Sequence, residues 1–341
     1  MAMDVTIYGA GIFGLSIAWA CVKRGARVQV IDPAGPAAGA SGGILGALAP
    51  HVPENWNVKK QFQLESLLMA PAFWEEISTY GGAPGYARTG RLQPLQDVEA
   101  VSLALDRCAG ARECWGAAAR WQVLASAPDW APNSPTGQWI YDDLSAHLHP
   151  RNACLALAKA LRARGCPVQP EGLATGAVIW ATGVAGLAEL SKPAPRPLGA
   201  AVKGQAVLVQ LARVGAPQLF ADGLHIIPHL DGTVAIGATT ENQFEHMEAD
   251  EQLDTLLRRA CAFVPALEGA PVLERWAGAR PRARSRAPML GSWPGRRGHY
   301  IANGGFKIGF GMAPKVAEVM ADLVLEQQDN IPAGFDVMAS V

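Results

Sequence analysis

Cysteine is sparse in this 341-residue sequence, and the six present (Cys21, Cys108, Cys114, Cys154, Cys166 and Cys261) stand nowhere in C-x-x-C or zinc-ligand spacing. A disulfide-framed scaffold is excluded, no metal site is expected, and the scattered thiols read as the reduced cysteines of a cytoplasmic protein. An excess of charge is missing as well. With 29 Lys and Arg against 30 Asp and Glu, the chain has no global attraction for nucleic acid or an anionic membrane. No run of about 18 apolar residues occurs, which excludes a membrane-spanning helix. The early apolar segment has no basic residue ahead of it, so it does not read as a secretion signal. Internal repeats are absent. Ala, Gly, Pro and Arg abound instead, and apolar periodicity persists through most of the chain, which argues for a folded protein of two domains rather than disorder.

The organising stretch is DVTIYGAGIFGLSIAWACVKRGARVQVID, Asp4 to Asp32. An apolar run, Val5 to Tyr8, turns through Gly9, Gly11 and Gly14 into residues at helical spacing (Leu15, Ala18, Trp19, Val22), and a second strand ends on Asp32. Strand, glycine turn, helix, strand and terminal acid together form a dinucleotide-binding unit. The first glycine makes the turn, the second admits a pyrophosphate, and the third lets the helix lie on the strand. The helix N-terminus supplies free N–H groups for phosphate, and Asp32 stands where such folds place a ribose-binding acid.

Small residues follow in PAGPAAGASGGILGALAP, where backbone amides and the Ser41 hydroxyl could approach a ligand. The same composition suits a plain linker. Trp56 to Tyr80 reads as two helices parted at Pro71, Tyr86 to Leu95 as a strand, and Asp97 to Ala109 as a helix. The tryptophans at 115, 121, 130 and 139 read as core residues. A helix entered at Pro150, with Leu155, Leu157, Ala158 and Leu161 buried, precedes a buried strand, Ala177 to Ala181. Beyond it come an alternating strand (Val202 to Leu211), a hairpin turning at Asp231 and Gly232, and a helix from Asp250 to Phe263. Arg280, Arg282, Arg284 and Arg286 fall at every second position, so an extended segment would point all four to one face. Arg280 differs from the others by its apolar approach, Trp276 to Ala279, and by the Pro that follows it.

Gly9, Gly11, Gly14 and Asp32 with GASGGILGALAP, ATG at Ala181 to Gly183, G-x-R-P at Arg280 and the glycine-rich YIANGGFKIGFG near the end resemble, in that order, the D-amino-acid oxidase and glycine oxidase superfamily of FAD-dependent oxidoreductases. The resemblance covers almost the whole chain. It implies an α/β fold, with a Rossmann-like FAD-binding domain (residues 1–80, 143–192 and 287–341) interleaved with an antiparallel-sheet substrate domain (81–142 and 193–286). It implies non-covalent FAD held by Gly9, Gly11, Ile12, Phe13, Gly14, Asp32, Ser41, Gly46, Ala47, Leu48, Val168, Ala181, Thr182, Gly183, Gly304, Gly305, Phe306, Lys307 and Ile308. Relatives have a long meander before the ATG strand, whereas here only PEGLAT intervenes, which changes the expected adenine-side contacts.

On the substrate side the resemblance implies that Arg280 grips a carboxylate through its planar fork. Lys307 is either a site residue or a surface cation. His225 stands where relatives often carry an aromatic hydroxyl, and it either lines the site or is a satisfied sheet histidine. The implied reaction is oxidation of a small α-amino acid, of glycine or D-amino-acid type, by hydride transfer to flavin N5, with O2 as acceptor. Two alternatives stand beside it: a sarcosine-like secondary-amine oxidase or dehydrogenase, and a flavin domain acting on a modified tRNA nucleoside through the arginine row. The expected partners are a small amino acid and O2, with no membrane, no nucleic acid in the main reading, and a possible homo-oligomer.

Overall fold

The computed structural model describes residues 3–126 and 130–341. It opens with β1 (Val5–Tyr8), α1 (Ile12–Lys23) and β2 (Val28–Ile31), followed by a short strand β3 (Gly46–Leu48) and the long helix α2 (Val58–Gly81). Next come β4 (Arg91–Pro94), α3 (Val98–Trp115), β5 (Trp121–Leu124), β6 (Trp139–Asp142), β7 (Ala146–Leu148), α4 (Pro150–Ala163), β8 (Val168–Gln169), β9 (Ala177–Trp180) and α5 (Gly183–Ser191). The rest holds β10 (Gly199–Gln210), β11 (Gln218–Ala221), β12 (Leu224–Pro228), β13 (Thr233–Gly237), α6 (Gln252–Phe263), β14 (Val272–Ala283), β15 (Met289–Ser292), β16 (His299–Asn303) and α7 (Gly309–Ala321).

These strands form two main sheets and a small β3–β7 pair. The first sheet runs β15-β16-β9-β1-β2-β8 and is parallel except for β15 against β16. Its central strands are buried runs, with Val5, Ile7, Val30 and Ile179 fully enclosed, as strands covered on both faces must be. Helix α1 packs against α7 and α4. It lies so close to β1 that a Cβ on Gly14 would sit 1.9 Å from the Gly9 carbonyl oxygen.

The second sheet runs β14-β10-β13-β12-β11-β4-β6-β5, antiparallel except for β11 beside β4. On one face Val207, Val209, Ile226 and Ile236 pack against Leu253, Leu256 and Ala260 of α6. On the other, Ala206, Leu208 and Ala235 pack against Ile44, in the loop that follows β2. That loop is thereby pinned between the two sheets. Because both faces of β10 are covered, Val202 to Val209 are buried without the alternation expected from the sequence.

Several local expectations are corrected. Helix α2 is one helix with Pro71 inside it, not two. An interior proline costs about 3 kcal/mol, but Phe62, Leu64 and Leu67 before it and Trp74 and Ile77 after it are all buried. At roughly 1.5 to 3 kcal/mol each, that continuous apolar face outweighs the lost bond. Helix α3 runs past Ala109 to Trp115, because Ala111 and Trp115 are buried and Gly110 sits against the Pro53 carbonyl with no room for a Cβ. In α4 Leu155 faces solvent, and Cys154, Leu157 and Leu161 form the inner face. Trp115, Trp121 and Trp130 are core residues as expected, and Trp139 is half-buried.

The arginine row does not share a face. β14 ends at Ala283, and Arg286 has φ +60° in the turn that follows. Arg282 lies over the Phe306 ring, while Arg284 and Arg286 are exposed.

Candidate active site

A cavity of about 1020 Å³ runs between the two sheets, from the glycine turn after β1 to the wall formed by β4, β11, β12 and β14. At one end it is lined by Gly9, Gly11, Ile12, Phe13, Asp32 and Ser41. Three helices, α1, α5 and α7, begin on this cavity, and none has its first turn capped by its own N-cap side chain. Helix starts leave backbone N–H groups without intrahelical partners. Ser41 Oγ accepts from one of them, Ile12 N, at 3.1 Å. Asp32 does local work too, since one carboxylate oxygen accepts from Ala10 N (2.8 Å) and the other from Ala34 N (3.0 Å).

Ala181, Thr182 and Gly183 line the cavity where β9 meets α5, as do Gly46 and Ala47 from the small-residue loop. The loop is held by Arg151, whose backbone N–H and Nε donate to the Gly43 and Gly42 carbonyls while its Nη atoms grip Glu274 on β14. Gly14, Leu48 and Val168 do not line the cavity. Gly14 serves the packing of α1 on β1, Leu48 is core, and Val168 pairs with Val30. The short segment after β8 is tied down on the first sheet instead, with Thr6 Oγ1 donating to the Thr175 carbonyl (2.7 Å) and Gln29 Nε2 to the Leu173 carbonyl (2.7 Å).

At the other end stand Arg280, Lys307, His225 and a residue the sequence did not single out, Arg91. The Arg280 guanidinium lies flat on Gly204 of β10, where a Cβ would meet Nη1 at 2.0 Å and Cζ at 2.2 Å. Its only hydrogen bond among the described residues is from Nη1 to the Thr239 carbonyl, at 3.3 Å. Burial lowers its pKa to about 10 and Glu241 pushes it back up, so it stays charged at neutral pH.

Lys307, exposed but on the cavity wall, donates to Thr240 Oγ1 at 2.8 Å, and its pKa is lowered by burial and then by Arg280. Gly304 to Ile308 all line the cavity. They are clipped to β14 through an Arg282–Gly305 bridge and by Phe306 N donating to the Pro281 carbonyl (3.0 Å). Burial, then Arg91, Lys307 and Arg280, push the His225 imidazole down to about 3. It is a neutral hydrogen-bonding group, and its buried Nδ1 has no partner among the described residues.

The sequence matches the profile of the FAD dependent oxidoreductase family over residues 4–323. The chain belongs to that family. Its cofactor is FAD, and it is an oxidoreductase acting on CH–NH2 or CH–NH groups. It is 27% identical to the glycine oxidase of Geobacillus kaustophilus, over 94% of this chain and 92% of that one. It is 33% identical to the glycine oxidase of Pseudomonas putida over a shorter stretch, 36% of this chain and 34% of that one. A crystal structure of glycine oxidase from Geobacillus kaustophilus superposes with TM-score 0.86 over 98% of both chains, at 23% identity, and shows the common fold. The α/β architecture expected from the glycine motifs is the one found.

The cavity fits this cofactor. Uncapped helix starts aimed into a single cleft form the donor set that a pyrophosphate and the electron-rich edge of a reduced flavin require. No helix among the described residues is long and apolar enough to cross a membrane.

Proposed function

We propose that this chain oxidises a small α-amino acid at its α-carbon. The observation that carries the reading is Arg280, a half-buried guanidinium with no carboxylate partner of its own among the described residues, lying in the same cavity as the glycine turn. A fork of charge-assisted N–H donors fixes a carboxylate in one orientation. The α-carbon is thereby positioned for reaction, and positioning accounts for most of what the protein must contribute. Bound FAD would supply the two-electron redox chemistry that converts the amino acid to an imine, which water hydrolyses to an oxo acid and ammonia, with O2 as the final acceptor giving H2O2.

In this reading Gly9, Gly11, Ile12, Phe13 and Ser41 hold the pyrophosphate region and Asp32 the ribose. Gly46, Ala47, Ala181, Thr182 and Gly183 line the middle of the cofactor, and Gly304 to Ile308 with the start of α7 face the flavin edge. Neutral His225 accepts from or donates to the substrate amine region without adding charge. Lys307 adds positive potential beside Arg280. The relatives named glycine oxidase support this choice over the secondary-amine alternative. The dispersed arginines remove the feature that motivated a tRNA substrate. All six cysteines are free, which supports the expected cytoplasmic setting.

The test is the absorption spectrum of the purified protein after anaerobic addition of glycine and the D- and L-amino acids. Bleaching of the flavin by at least one of them is the expected result. A fully yellow enzyme with every amino acid and with sarcosine would refute the proposal.

A further inference from the structure

Arg91 is the charged side chain of the cavity wall to which the proposed oxidation gives no task. It stands on β4 directly across from Asp142 of β6, and the two form a buried pair through a single bond, Nε to Oδ2 at 3.1 Å. The other Asp142 oxygen accepts from Ser145 N at 2.8 Å, so the carboxylate is already occupied. A guanidinium has five N–H donors, and Nε accounts for one. Neither Nη nitrogen of Arg91 has a hydrogen-bond partner among the described residues, although the residue is only 7% exposed.

Two partly buried structural arginines look different. Arg107 grips Glu54, and Arg151 grips Glu274, with two nitrogens each. Arg91 instead keeps its fork free in a cavity it lines together with Phe220 and His225, its guanidinium 5.9 Å from the Phe220 ring centre. The free donors face the cavity, and a planar fork is matched by a carboxylate.

We propose that Arg91 anchors a second carboxylate, so that the substrate is an amino dicarboxylate whose further acid lies at the distal end of its side chain. This rests on the assignment of Arg280 to the α-carboxylate. β4 pairs with β11, and β11 with β12, which carries His225. Arg91 therefore starts two strands from His225, roughly 10 Å at about 4.8 Å per strand, while Arg280 enters the cavity from β14. A substrate joining the two arginines lays its spacer along Phe220 and the neutral His225, whose rings are 4.7 Å apart. Several carbons of spacer suit that path better than the single carbon of an aminomalonate.

The test uses the holoenzyme at fixed ionic strength and reads the shift in flavin absorption on titration with two non-oxidisable acids of equal chain length, pentanoate and glutarate. Glutarate is expected to bind at least 30-fold more tightly. In the double variant Arg91→Gln with Asp142→Asn, which keeps the cross-strand pair neutral, that advantage disappears while pentanoate binding stays within threefold. Arg91→Lys, which keeps the charge and loses the fork, serves if the double variant fails to fold, and is expected to lose about tenfold for glutarate alone. Equal binding of the two acids by the wild type, or a preference for glutarate that survives both variants, overturns the Arg91 assignment. If pentanoate perturbs the flavin, and Arg280→Met abolishes this, while glutarate gains nothing, only Arg91 is misassigned. If neither acid perturbs the flavin, the Arg280 reading fails and this inference fails with it.

Discussion

Replacing Gly204 by alanine tests the geometry of the substrate end without touching a charged group. The new Cβ would lie 2.0 Å from Arg280 Nη1 and 2.2 Å from Cζ and Nη2, against a normal contact of about 3.5 Å. The guanidinium must therefore retreat by roughly 1.5 Å. The three nearest atoms all belong to the far end of one flexible side chain, so the backbone has no reason to move. Exchanging glycine for alanine inside a strand returns about 0.5 to 1 kcal/mol of backbone entropy, which offsets the cost of the new rotamer and leaves stability near that of the wild type. Function is hit harder, because hydrogen bonds to a charged group are worth about 1.5 to 3 kcal/mol, and a misplacement of about 1 Å can cost about 100-fold. We expect kcat/KM for the amino acid that bleaches the flavin to fall about 10- to 100-fold, mostly through KM, with FAD content and Tm unchanged. Gly204→Ala in an Arg280→Met background should add almost nothing, since both act through one side chain. An unaltered KM in the single variant, or full additivity in the double, would refute the placement of that guanidinium.

Arg280→Met is expected to lower kcat/KM by at least about 100-fold with a normal flavin spectrum, and turnover near wild type would discard the clamp. Gly14→Ala puts a Cβ 1.9 Å from a backbone carbonyl oxygen, forcing α1 off β1. This should cost several kcal/mol and yield protein without FAD after gel filtration, whereas a yellow variant of unchanged Tm would contradict the close approach. His147 and His149 are both pushed down to about 4, by burial first and then by His229, with Arg151 adding to the shift at His149 while Asp231 and Glu274 oppose it there. Folded imidazoles of depressed pKa bind protons less readily than the unfolded chain. Their contribution is therefore complete above about pH 6.5 and lost as pH falls towards 4, at up to about 1.4 kcal/mol per pH unit for each. Urea unfolding at pH 7.5, 6 and 5 checks this, and a midpoint that stays constant or rises on acidification would contradict it.

Steric signals are legible in the sequence where the partners are close. Gly9, Gly11, Gly14 and Asp32 lie within one supersecondary unit, and the steric need of Gly14 is set by Gly9 and that of Gly9 by the end of the adjacent strand, β9. Arg280 stands out as a candidate because its apolar approach and following proline mark it off from Arg282, Arg284 and Arg286, and it is the one of the four that lines the cavity among the described residues. What the sequence concealed depends on pairing across long separations. Gly204 matters because β10 lies beside β14 with Gly204 opposite Gly278, and nothing around Gly204 announces that register. Arg91 reads as an ordinary strand residue until β6 brings Asp142 across from it. Pro71 misled in the opposite direction, since a strong local breaker was overruled by an apolar face whose partners, α4 and α7, come much later in the chain.

The charges around the substrate end have an internal logic that explains why Arg280 in particular should meet an anion. Among the described residues, three cationic side chains in this region are wholly or partly withdrawn from bulk water. Lys203, 1% exposed, is neutralised by Asp250 at 3.0 Å and Glu241 at 3.5 Å. Arg91 is neutralised, though not saturated, by Asp142. Arg280 has only a carbonyl oxygen, while Glu241, the acid nearest to it in effect, is already committed to Lys203, Gln205 and Thr239. A cation held partly out of water without a counter-ion is costly, and in a folded protein that cost is tolerable only where something else offsets it. Glu241, committed to Lys203, Gln205 and Thr239, leaves Arg280 ionised yet unpaired, and on the proposed assignment the missing negative charge comes from the cavity side. Glu241→Gln should therefore weaken carboxylate binding only modestly, whereas a carboxylate introduced by Gly204→Asp should quench the site by supplying from the wall what the substrate would otherwise bring.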